Sequence, residues 1–331
     1  MSFGPRGLKT TIDPKGVRHS FGIPGTGLSY QTPYRKLGES NSPQRNPKKK
    51  FSPEEAAQFS IQNDYQKLNL GFFAKLTCSK EEKELAQGVQ AFLLQDYVQA
   101  EAHLQKASCY VDGAFTLGCV YLNTNRFVDA DKMFSLAEQL PAQIGVFFKK
   151  YNLDMMVHLS VSPFYEADFE PNALTSYLAH VEDLQHLNRY ADACNLLLGL
   201  YKSLPQNLDV LLSLADIVLE REPTNIQWMN AIVNMTKNID NDSYAHAVLL
   251  MYKAEAFDNL GMIDAAITLL STILRKKTGR PGAFLLEVQF QRGVLYSKIG
   301  KNTNAIKDLN AVYAIDPSYA NVSQLLAQLK P

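Results

Sequence analysis

The sequence predicts an all-α chain, a solenoid of stacked helical hairpins closed by a capping helix, with a short β segment ahead of it. Three observations carry the prediction. Small residues recur near the middle of every other predicted helix, and alanines recur four positions before a bulky residue in the helices between. The third is a glycine-punctuated, alternating stretch confined to residues 4–30.

The chain has 331 residues, 46% hydrophobic and 20% charged, enough to bury a substantial core. No apolar run approaches the roughly 18 residues that span a bilayer, and Met1–Gly7 lacks the layout of a signal peptide. The four cysteines show no C-x-x-C pairing, and Cys109, Cys119 and Cys194 fall in predicted helices; a reducing, cytoplasmic setting is expected. The zero net charge hides an asymmetry. Residues 1–50 hold ten Lys/Arg against Asp13 and Glu39, a net +8, so the remainder carries −8.

The β segment comes first. Pro5-Arg6-Gly7-Leu8-Lys9 recurs as Pro14-Lys15-Gly16-Val17-Arg18, with Pro and Gly where a β-turn takes them. Alternation follows each turn: Leu8, Thr10 and Ile12 oppose Lys9 and Thr11, and Val17, His19 and Phe21 oppose Arg18 and Ser20. A unit this small needs a partner for its edges. The string Gly22-Ile23-Pro24-Gly25-Thr26-Gly27-Leu28-Ser29-Tyr30, with Gly4-Pro5-Arg6-Gly7, resembles a bacterial family of small glycine-rich β domains of unknown function. The resemblance covers about the first 32 residues, starts late in the family's pattern, and implies a small β unit without a known activity. A phosphate-loop reading fails because no Gly-Lys-Ser/Thr runs into a helix. Residues 33–50 read as a basic linker ending in Lys48-Lys49-Lys50. The expected division is 1–32, 33–50 and 51–331.

Helices begin after two capping boxes, Ser52-Pro53-Glu54-Glu55 and Ser79-Lys80-Glu81-Glu82. The paired pattern then reads Gly88-x-x-Ala91 with Ala100-x-x-x-Leu104, and Leu117-Gly118-x-x-Tyr121 with Ala130-x-x-x-Phe134. It continues with Leu184 and Ala193-x-x-x-Leu197, Ala254-x-x-Phe257 and Ala266-x-x-x-Leu270, and Gly293-x-x-Tyr296 with Ala305-x-x-x-Leu309. Residues 208–241 and 141–173 fit as degenerate repeats, the latter broken by an extended loop around Ser160–Tyr165. Thr278–Gly282 is an inserted turn, and residues 319–330 cap the array through Leu325, Leu326 and Leu329.

Over about residues 80–320 these anchors resemble the tetratricopeptide-repeat family. The resemblance implies a right-handed α-solenoid of five to seven hairpins that binds a protein or an extended peptide along the inward face of each first helix. Counted from the anchors, that face takes Leu85, Val89, Phe115, Cys119, Leu178, Glu182, Met251, Glu255 and Phe290. The family's Lys/Asn/Arg clamp for a terminal carboxylate is missing; apolar positions with scattered acids suit a partly hydrophobic or basic segment. A second reading gives the basic arm, Arg6, Lys9, Lys15, Arg18, Lys48, Lys49 and Lys50, to nucleic acid or membrane phosphate, or to docking on the acidic body of its own or a neighbouring chain. No enzyme is expected: His103, His158, His180, His186 and His246 are scattered without metal-ligand spacing, and no nucleophile elbow, Walker motif or paired-carboxylate constellation is read in the sequence.

Overall fold

The computed structural model describes the backbone of residues 2–3, 8–13, 16–23, 28–31, 53–69 and 78–329, and side chains over 59–69 and 78–329. The chain divides into two compact units, one of residues 3–197 and one of residues 198–331 with the first two residues.

In the 3–197 unit the helices are α1 (Pro53–Lys67), α2 (Lys80–Leu93), α3 (Tyr97–Leu104), α4 (Val111–Asn123), α5 (Phe127–Ala137), α6 (Val146–Lys150), α7 (Ala173–His186) and the start of α8 (Tyr190–Ser203). The Ser79 hydroxyl accepts the Glu82 N–H at 3.0 Å, as the capping box predicts. Glu82 does not close the box: its carboxylate takes Lys150 and the Tyr151 hydroxyl instead. Why the anchors must be small follows from the hairpin contacts. A Cβ on Gly88 would lie 2.6 Å from the Leu104 side chain, and one on Gly118 would lie 2.7 Å from the Phe134 ring. The anchor residues Ala100, Ala130, Ala193 and Phe134 are fully buried. Cys109 lies in the turn before α4 and is exposed, rather than within a helix.

Residues 141–173 depart from the expected degenerate hairpin. After a 3-10 turn at Pro141–Gln143 and the short α6, the chain forms β5 (Met155–Ser162) and β6 (Tyr165–Phe169), an antiparallel pair with an irregularity at Ser160/Ser162. The segment read as an extended loop is thus the end of β5, a two-residue turn at Pro163-Phe164 and the start of β6. β5 is buried on both faces over most of its length, as its run of Met, Val and Leu requires.

What β5 pairs with lies more than a hundred residues earlier in the chain. Strands β1 (Ser2–Phe3), β2 (Leu8–Asp13), β3 (Gly16–Ile23) and β4 (Leu28–Gln31) join β5 and β6 in a six-stranded sheet in sequential order. The β2–β3 register opposes Leu8 to Phe21 and Ile12 to Val17, which keeps the alternation of the two strands in phase. β4 meets β5 antiparallel, Leu28 opposite Val157 and Tyr30 opposite Met155. The N-terminal strands therefore find the partner edge that their small size called for.

Asp112 of α4 fixes the entry to this hairpin. Its buried carboxylate accepts the N–H groups of Gly145 and Phe147, each at 2.6 Å. Burial pushes its pKa up, and the two N–H donors pull against that shift. Gly145 has φ +95°, and a Cβ there would lie 2.3 Å from the Pro171 carbonyl oxygen, so no other residue fits. Asp112→Asn replaces one of the two acceptors by an amide NH2, which cannot accept an N–H. An expected loss of about 1–2 kcal/mol would be read in urea denaturation.

In the second unit α9 (Leu208–Arg221), α10 (Ile226–Met235), α11 (Tyr244–Asn259), α12 (Ile263–Arg275), α13 (Gly282–Lys298) and α14 (Asn302–Ile315) follow as hairpins, closed by α15 (Val322–Leu329). The weakly patterned stretch 208–241 is a full helical pair, its helices capped by Asn207 and Asn225. The close approach recurs here, where a Cβ on Gly293 would lie 2.9 Å from Leu309. Leu309, Val312, Val322 and Leu326 form a buried cluster, with Leu325 and Leu329 packed against it, so the last helix caps the array as expected.

Candidate binding surface of the second unit

Of the nine inward positions counted from the anchors, Leu85, Val89, Phe115, Cys119, Leu178 and Met251 are buried, and only Glu182, Glu255 and Phe290 keep exposed surface. Aliphatic side chains at these positions fill the space between neighbouring hairpins. Lys9 and Arg18 of the basic arm lie in β2 and β3. Arg6, Lys15, Lys48, Lys49 and Lys50 lie outside the described residues.

In the 3–197 unit the position of Glu182 is taken by the β-hairpin. Its carboxylate accepts the Ser160 N–H of β5 at 3.3 Å. Burial pushes Glu182 up to about 7, Ser160 and His158 counter the shift, and Glu166 adds to it. His158 is itself held between Asp168 (2.7 Å) and Glu166 (3.4 Å), and these bonds raise its pKa against burial. The buried Cys119 thiol is pushed up by burial and then by Glu182, which leaves it inert.

The second unit presents a different surface. Tyr252, Glu255 and Asp258 stand three residues apart on one face of α11. The Tyr252 hydroxyl donates to Asp216 Oδ1 of α9 at 2.7 Å. On α13, Glu287 accepts the Tyr319 hydroxyl and the Gln291 amide, the latter at 2.8 Å. Lys298 pairs with Asp258 at 2.6 Å. Glu255 has neither hydrogen bond nor ion pair among the described residues. Burial pushes it up to about 7, and Asp216, Glu287 and Asp258 push in the same direction. Burial likewise raises Asp216 to about 6, partly countered by Tyr252. Helices α9, α11 and α13 thus bring three further carboxylates around Glu255, one of which, Asp258, is paired with Lys298. Phe290, half-buried, stacks edge-on against Tyr319 with ring centroids 5.5 Å apart.

Sequence reasoning found Glu255 but missed Asp216, Tyr252, Asp258, Glu287 and Tyr319. The signal was there for two of them. Asp216 and Glu255 each stand one residue past a small anchor, Ala215 and Ala254, so they occupy equivalent positions in successive first helices. Outside this surface, the group of metal-ligating composition among the described residues is Asp131, His180 and Asp183 in the 3–197 unit.

Residues 286–319 match the tetratricopeptide-repeat family. No curated protein matches the chain. Among solved structures, the N-terminal domain of the EccA1 ATPase from the ESX-1 secretion system of Mycobacterium tuberculosis is 11% identical with a TM-score of 0.52, over 76% of this chain and 90% of that one. The APC/C hetero-tetramer Cut9–Hcn1 is 16% identical with a TM-score of 0.45, over 84% of this chain and 48% of that one. This chain therefore spans about half of that one. A tetratricopeptide-repeat protein from Parabacteroides merdae ATCC 43184 is 12% identical with a TM-score of 0.33, over 75% of this chain and 98% of that one. The likeness to the EccA1 domain concerns the fold alone. Residues 286–319 are a tetratricopeptide repeat, and the chain has the helical-solenoid fold of that type. No helix among the described residues is long and apolar enough to cross a membrane.

Proposed function

We propose that the protein is a non-catalytic interaction scaffold whose 198–331 unit takes up an extended, Lys- or Arg-bearing segment of a partner protein along α9, α11 and α13. The fold supports binding to protein in general, since helical repeats present side chains from successive first helices to one ligand. The chemistry of the ligand rests on one observation. Glu255 sits among Asp216, Asp258 and Glu287 with no donor of its own, and both Glu255 and Asp216 are held well above the usual carboxylate range. A cation placed there would relieve that repulsion, and the partly exposed Tyr319 offers ring surface to the methylene stem of a lysine or arginine. In the 3–197 unit the equivalent position at Glu182 is met by β5, which directs the reading to the second unit.

Fluorescence anisotropy with the full chain tests this. A labelled peptide alternating Lys and Leu should bind, and one alternating Glu and Leu should not. Glu255→Gln and Asp216→Asn should each weaken the basic peptide about 3–10-fold, more at low salt than at high. Affinity should rise between about pH 6 and 8, where Asp216 and Glu255 ionise. Equal affinity for the two peptides, or indifference to both substitutions, would sink the reading.

A further inference from the structure

A second charged cluster lies wholly within the 3–197 unit, where α5 packs on α7. From α5 and the residue just past its end come Asp131 and Glu138, and from one face of α7 come His180 and Asp183. One ligand atom each from Asp131, His180 and Asp183 lie within 4.8 Å of one another. His180 bridges two carboxylates, Nδ1 to Glu138 Oε2 at 3.1 Å and Nε2 to Asp131 Oδ1 at 2.9 Å. Arg189 donates to the other Asp131 oxygen at 2.7 Å.

Asp183 is the anomaly. It is 0% exposed, and neither carboxylate oxygen has a hydrogen-bond partner. A buried carboxylate without a donor is among the costliest arrangements a fold can hold. The orphaned atoms are concentrated here. Glu138 Oε1 also lacks a partner, as does the hydroxyl of Ser176, one turn before His180 on the same helix. With a neutral imidazole, three carboxylates face one guanidinium, which leaves two negative charges unmatched.

We propose that this pocket binds one divalent transition-metal cation, zinc or manganese, through Asp131, His180 Nε2 and the two orphaned oxygens' carboxylate, Asp183. The donor set of one imidazole and two carboxylates suits those ions, whereas calcium or magnesium would favour oxygen alone. Glu138 then takes the Nδ1 proton of His180, the carboxylate–imidazole–metal relay that fixes the ring and raises its basicity. The charge balance also closes, because a divalent ion cancels the two unmatched charges. Asp131, with 23% of its side chain exposed, marks the way in and the open coordination position for water. The competing arrangement needs no metal: an imidazolium between Glu138 and Asp131, with Asp183 protonated.

The two are separated on the full chain, stripped with a chelator and dialysed against zinc chloride or manganese chloride, with bound metal counted by elemental analysis. The proposal expects one equivalent more in the wild type than in Asp183→Asn, with a thermal shift that the chelator reverses. Asp183→Asn removes a buried unpaired charge, so it should fold at least as stably as the metal-free wild type, which far-UV circular dichroism checks. Glu138→Gln leaves the ligands intact and should weaken binding about 10–100-fold. Metal held elsewhere, for instance at the exposed Cys109, would survive both substitutions. Equal metal content in wild type and Asp183→Asn, or no saturable uptake up to about 1 mM, overturns the proposal in favour of the protonated pair.

Discussion

Phe134→Ala is expected to destabilise the 3–197 unit by about 3–5 kcal/mol. The ring is fully buried, packs beside His180 with centroids 5.8 Å apart, and fills the gap left where Gly118 lets α4 and α5 approach. Removing it empties a space that two helices cannot close without losing their other contacts. The glycine makes the test sharper. Gly118→Ala alone would place a Cβ 2.7 Å from the ring, an overpacking that costs about 1–3 kcal/mol. In the Phe134→Ala background the new methyl falls into vacated space, so the second substitution should cost little. Chemical denaturation of the four proteins gives the coupling directly. Simple additivity would mean that the ring and the glycine do not share one packing site.

Glu255→Gln is the second large effect, and its sign changes with ligand. The folded carboxyl titrates near 7 against an ordinary value of 4.5, so between those pH values the folded state keeps a proton that the unfolded chain has released. Stability contributed by this group is present below about pH 4.5 and is lost as pH rises through 7. Glutamine does not titrate. Above pH 7 the variant should therefore be more stable than the wild type, by up to about 3 kcal/mol, with a flatter dependence of stability on pH. With a basic peptide bound the ranking should reverse, because the cation favours the ionised carboxylate that the variant lacks. Urea denaturation at pH 5 and pH 8, with and without peptide, measures both. A stability difference between wild type and Glu255→Gln that does not change between pH 5 and pH 8 would show that Glu255 ionises normally in the fold.

The repeat architecture was legible because its cause is local. Gly88, Gly118 and Gly293 must be small where one helix of a hairpin touches the other, and the residue that touches each of them, Leu104, Phe134 or Leu309, is set by the same hairpin. Periodicity within some thirty residues captures that. The pairing of Leu28–Gln31 with Met155–Val157 was not legible, since no window along the chain contains both strands. Periodicity could say only that helical spacing breaks at Ser160–Tyr165. The candidate binding residues failed differently. Counting positions along a first helix names the row that points inward, but it does not say whether hairpin packing buries it, as at Val89 and Met251, or leaves it open, as at Glu255. Nor does scanning for ligand spacing join Asp131 to His180, which meet across a helix interface from 49 positions apart.

The pairing of β4 with β5 also sets a timetable. Residues 28–31 leave the ribosome long before 155–157 are made, and at about 5–20 residues per second the wait is on the order of ten seconds. During that interval the edge that β5 will occupy is open while α2 to α5 are already complete enough to fold by local contacts. An unpaired strand edge of that lifetime is a template for the wrong partner.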